Sequence, residues 1–196
     1  MSTDDGGEDS QIDLLADVSD LDSVRHLLAE LHDDLAGKVG RFRHLADLGG
    51  ELGSEGTMLF GGTATFGAWT EARSSFVHGN YVATVLLCQS LVENLLAAFL
   101  HGGLLIDDLP PRIGFKETLK RCQAGGMITA EDFHDLDRLM ALRNPLSHFR
   151  NVGDPQNLDR RAIDTSVHPD DLLRQDAWFA MGLAVRILAK PQFRLG

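Results

Sequence analysis

At 196 residues and 43% hydrophobic, the chain has enough apolar side chain for one domain with a proper core plus an extension, or at most two small domains. Two cysteines, Cys88 and Cys122, with no CxxC and no cysteine–histidine pairing at zinc spacing, exclude a disulfide scaffold and a zinc finger and suit reduced core thiols. The net charge of −11 is uneven: residues 1–34 hold eleven acids and one base (Arg25), the remainder eighteen acids and seventeen bases, so the body is close to neutral.

Residues 1–19 read as an acidic disordered tail with nothing to bury. The opening MSTDDGGEDS is acidic where a signal peptide needs positive charge and then an apolar run, so a cytoplasmic location is expected. The tail could solubilise, bind a partner, or compete for a polyanion site. From residue 20 to 48 the pattern is helical. Leu21, Val24, Leu27, Leu28, Leu31, Leu35, Val39 and Phe42 recur at three- and four-residue steps, and Asp20 or Asp22 could cap the start. Seven glycines between Gly49 and Gly67 then make a loop, and residues 20–62 form an N-terminal helical unit ahead of the body at 63–196. Gly62 and Gly67 have the spacing of a Walker A loop, but Ala68 stands where that loop needs its lysine, which excludes a phosphate cradle of that kind.

Helices are expected next over 68–78 and 80–101, with Gly79-Asn80 as the break. The apolar run at 81–100 is interrupted by Gln89, Glu93 and Asn94, so it reads as a core helix rather than a membrane span. A further helix covers 114–123. Another covers 130–150, with Thr129 as N-cap and Asp132 close to a capping box. A polar loop carrying Arg160-Arg161 follows. The last helix spans 169–190, with His168 as a weak cap, Pro169 at the first position and Pro191 as the stop. No strand and no repeat is evident. The fold class is all-α: an up-and-down bundle of four to five helices with an N-terminal helical extension.

The chemistry concentrates in ALRNPLSHFR, residues 141–150. Pro145 cannot donate to the carbonyl of Ala141 and disfavours helical geometry at Asn144. Two outcomes are open. The helix kinks, bringing Arg143 and His148 closer to one cavity. Or it ends at Arg143 and restarts with Asn144 as cap, placing His148 in a first turn where the dipole favours the neutral base. Histidine does acid–base work near neutral pH, and arginine binds phosphate bidentately. Together they suit metal-free cleavage of RNA by the ribose 2′-hydroxyl. The plainer alternative is a helix break in which Arg143 pairs with a carboxylate and His148 is partly buried.

LRNPLSH resembles the Arg–Asn–x–x–x–His signature of the HEPN superfamily (higher eukaryotes and prokaryotes nucleotide-binding). The resemblance extends along about residues 65–191. EARSSFVHGNYVATVLLCQSLVENLLAAFL is similar to the family's opening helical pair, GMITAEDFHDLDRLMALRNPLSH to its motif helix, and DDLLRQDAWFAMGLAVRILAKP to its closing helix. The resemblance implies an all-α bundle that dimerises so that two motifs form one composite site. It implies a metal-independent endoribonuclease, often a toxin with an antitoxin partner or a phage-defence effector. By position, Arg143 and His148 would be catalytic and Asn144 the accompanying polar residue. Some members are non-catalytic, so an adaptor binding a nucleotide or a protein is the alternative.

Glu93 lies in the most apolar helix, with Gln89 one turn earlier. A buried carboxylate needs a partner. Either Glu93 orients Arg143 or His148, or it points into solvent. Arg112, Lys116, Lys120 and Arg121 cluster before and within one helix and offer a phosphate-contacting surface, as does Arg150 beside the motif, unless these are solvated faces. Arg160-Arg161 could clamp RNA. No histidine spacing suggests a metal, and no cofactor is expected. The expected partners are RNA, a second copy and an antitoxin protein, with no membrane.

Overall fold

A computed structural model describes residues 21–102, 109, 110 and 112–195; the acidic tail expected over 1–19 lies outside the described residues. Among them run eight α-helices: α1 (Leu21–Asp33), α2 (Leu35–Gly49), α3 (Gly62–His78), α4 (Tyr81–Gly102), α5 (Phe115–Ala124), α6 (Ala130–Ser147), α7 (Leu158–Thr165) and α8 (Pro169–Leu188). Short 3-10 turns cover Gly50–Leu52 and Pro191–Phe193. No strand forms among the described residues; one isolated bridge joins Thr57 to Arg194.

The all-α class is as expected, but the count of four to five helices is too low. The N-terminal helix is two, because Asp34 leaves helical geometry at φ −89°, ψ 15°. The polar loop after the motif contains α7. Asn157 caps it, its side-chain oxygen accepting from the N–H groups of Asp159 (2.9 Å) and Arg160 (3.1 Å). The Gly62–Gly67 stretch is helical, being the start of α3.

Helix α4 is the axis of the core. Val85, Cys88, Leu91, Val92, Leu95 and Leu96 are fully buried along it. By length and apolarity alone α4 could cross a membrane, yet these side chains pack inside the bundle. Each such burial contributes about 1.5–3 kcal/mol. Helices α3 and α8 pack most extensively on α4, with α5 and α6 beside it. On α8, Ala177, Ala180 and Ala184 are fully buried, small side chains that let the backbones approach. Phe60, Phe99 and Phe193 close one end, with ring centroids 5.1–6.0 Å apart in edge-on contact.

Polar clasps set the helix order. Gly79 turns α3 into α4 at φ 79°, and the Arg41 guanidinium of α2 would lie 3.3 Å from a Cβ at this position. Arg41 is buried, donates from Nε to Val77 O at 2.9 Å and pairs with Asp34. Arg161 of α7 grips Asp176 of α8 bidentately at 2.7 and 2.9 Å. At the start of α6, Thr129 and Asp132 form a complete capping box. Asp132 also takes Lys190 at 2.6 Å, and Arg186 of α8 pairs with Asp135. One turn on, Arg138 lies 4.1 Å over the Phe179 ring. The first half of α6 is thus bound to α8, and this fixes where its far end, carrying the motif, emerges.

Candidate functional site

Helix α6 runs through Pro145 without a break. Pro145 lies in the last turn, so its missing N–H deprives only the Ala141 carbonyl, and the turn beyond it is held by other donors. Ser147 Oγ donates to Arg143 O (3.4 Å) and Asn144 O (3.3 Å), and the His148 N–H donates to Asn144 O at 3.0 Å. The expected end at Arg143 with a restart at Asn144 is therefore corrected. His148 is the C-terminal cap, extended at φ −135°, ψ 135°, so the argument from an N-terminal dipole lapses.

The side chains of Arg143, Asn144 and His148 make no hydrogen bond or ion pair among the described residues. Arg143 and Asn144 are half-buried and His148 is exposed. Neither feature of the plainer alternative is seen: Arg143 has no carboxylate partner among the described residues, and His148 is exposed. By contrast Arg121, Arg150, Arg160, Arg161, Arg174 and Arg186 all hold carboxylates. His148 stands just past the last α-helical residue, so the period of α6 does not set its direction relative to Arg143. Sequence reasoning passed over Phe149, which follows His148 directly and is 93% exposed. Its only signal was its place outside the apolar period of α6.

The supporting residues divide. Glu93 accepts from Gln89 Nε2 at 2.5 Å, within its own helix, and has no bond to Arg143 or His148. Its expected orienting role has no contact behind it. Lys116 pairs with Asp137 at 3.2 Å and Arg121 with Glu117 at 2.8 Å, whereas Arg112 and Lys120 are exposed and unpaired among the described residues. Arg150 is a loop clasp. It reaches Asp154 at 3.4 Å and its carbonyl accepts from Asn157 Nδ2 at 2.9 Å. The expected clamp at Arg160-Arg161 is structural, since Arg160 holds Asp164 at 2.7 Å and Arg161 holds Asp176. Pairing consumes these cations because acids at one-turn spacing, or facing on α8, lie within reach. A cavity of about 280 Å³ lies elsewhere, between α2, α3 and α8, with Leu45, Trp69 and Val185 in its wall.

No family model matches the sequence, and no curated protein and no solved structure matches it either.

Proposed function

We propose that the chain is a metal-independent endoribonuclease of HEPN type, acting on RNA as a homodimer. The observation that carries this reading is the set at the end of α6, Arg143, Asn144 and His148 within six residues, whose side chains hold no hydrogen bond or ion pair among the described residues. Arginine is held in ion pairs through much of this bundle, so a half-buried guanidinium without one is available to a phosphate. His148 takes the proton from a ribose 2′-hydroxyl. The 2′ oxygen forms a bond to phosphorus, the P–O5′ bond breaks, and the 5′ oxygen leaves with a proton. The products are a 2′,3′-cyclic phosphate and a 5′-hydroxyl. Arg143 neutralises the phosphate, and Asn144 orients a phosphate oxygen or the imidazole. Two chains facing each other would supply one histidine as base and the other as acid. Arg112 and Lys120 supply charge for the RNA backbone. A toxin or defence effector held in check by an antitoxin protein is the setting that fits such an activity.

The test is cleavage of RNA in EDTA. Wild type should produce cyclic phosphate ends and leave 2′-O-methyl RNA intact. His148→Ala and Arg143→Ala should each lose about 100-fold or more in rate. Equal cleavage by wild type and His148→Ala, or none by either, favours the second reading, a non-catalytic adaptor. That reading draws on the exposed Phe149, a side chain suited to docking a protein partner.

A further inference from the structure

Helices α1 and α2 carry an apolar stripe that the bundle does not cover. Leu21, Leu28, Leu35 and Phe42 repeat at seven-residue steps and are 62%, 59%, 53% and 63% exposed. Val39 adds to the same side at 40% exposure. The inward face of α2 is a different set: Arg41 is buried, and Leu45 and Leu48 pack against the core. The seven-residue repeat carries across the Asp34 joint, with two positions on each helix, and such spacing is the pattern of helices seeking a helical partner. An isolated helix shorter than about 12–15 residues is marginal in water, and α1 has 13.

Charge selects the occupant. By sequence α1 holds Asp22, Glu30 and Asp33 against Arg25, a net of −2; apart from Arg41, which is buried and paired with Asp34, α2 holds Lys38 and Arg43 against Asp47, a net of +1. An antiparallel second copy sets each acidic half against a basic half, whereas a parallel copy sets like against like. With the crossing between positions 31 and 32, the apolar layers also match: Leu21 meets Phe42, Val24 meets Val39, and Leu28 meets Leu35. At the Phe42 end, a hollow of about 600 Å³ between α2 and α3, with Arg73 and His78 in its wall, is open to the first turn of the other copy.

We infer that α1 and α2 form a dimerisation arm, pairing antiparallel with the same arm of a second copy through Leu21, Leu28, Leu35, Val39 and Phe42. The interface is isologous, so it closes as a dimer. It involves no residue of α6 and does not rest on the ribonuclease reading; where both hold, the arm is the contact that keeps the two chains together.

The experiment is light scattering of the full chain after size exclusion, at tens of micromolar. Wild type should have twice the chain mass, and Leu28→Glu/Leu35→Glu should have the chain mass with unchanged helical circular dichroism. A monomeric wild type, or a dimer that survives the double substitution, overturns the inference. Single cysteines provide a second measurement that does not depend on the charged variant folding. Leu28→Cys protein mixed with Leu35→Cys protein should form a disulfide-linked dimer on mild oxidation, and neither should do so alone. Cys88 and Cys122 are buried and do not compete. Self-linkage of Leu28→Cys alone indicates parallel pairing and overturns the antiparallel arm.

Discussion

Asp132 joins a helix cap to an ion pair. Its carboxylate accepts from the Thr129 N–H at 2.7 Å and Oγ1 at 2.8 Å, and from Lys190. Burial by itself would raise its pKa, but the bonds from Lys190 and Thr129 outweigh burial and hold it below the ordinary aspartate value. A carboxyl depressed in the folded state adds stability that is complete above its unfolded pKa and is lost as pH falls through the folded one. Thermal denaturation across acid pH should show wild type losing stability in that window. Asp132→Asn should start lower at neutral pH and lose less on acidification. The two cysteines behave oppositely: burial pushes both thiols up to about 12. Neither should react with an aromatic disulfide reagent at neutral pH until the chain unfolds, when both should titrate together. Identities at this scale were legible: Arg143, Asn144 and His148 stand out in the sequence. Their lack of polar partners among the described residues was not, because a side chain's partner is chosen by whatever the fold brings near it.

Helix signals are local, and most of them read true. Thr129 and Asp132 formed the expected capping box, and His168 caps α8, its Nδ1 accepting from the Asp170 N–H at 3.3 Å. Where two local signals competed, the reading failed. Pro145 argued for a break, but Leu142 and Leu146 pack against the core on either side of it, and that packing carries the helix through. Proline there still costs the backbone bond to Ala141. Pro145→Ala should therefore raise stability by about 1–2 kcal/mol, less than a mid-helix proline would cost, since alanine also gives the unfolded chain more freedom. Chemical denaturation would measure it, and an unchanged or lower midpoint would show the helix to be already relaxed around the ring. Helix α7 went unread because its eight residues make little more than two turns inside a polar stretch. Its capping Asn157 was visible; the need for a helix came from Arg161 reaching Asp176 across 15 positions.

For the whole molecule, the joint between extension and bundle combines the packing of Leu45 and Leu48 on the core with one buried cation. Arg41 ties Asp34 and the Val77 carbonyl to the turn between α3 and α4. Arg41→Ala should lower stability by about 1–3 kcal/mol, the range for leaving a buried acceptor unmade. Limited proteolysis should then cut before α3 and leave the bundle from α3 to α8 intact. Digestion of the whole chain at one rate would mean that extension and bundle unfold as a unit. The sequence by itself determined the all-α class, the apolar helix at the centre and the residues of the motif, because apolar period and capping act within one or two turns. Only the tertiary structure decided which arginines are consumed by carboxylates, that α6 passes through Pro145, and that the stripe on α1 and α2 faces outward. Those outcomes depend on contacts between residues distant along the chain, such as Arg186 with Asp135, which periodicity does not encode.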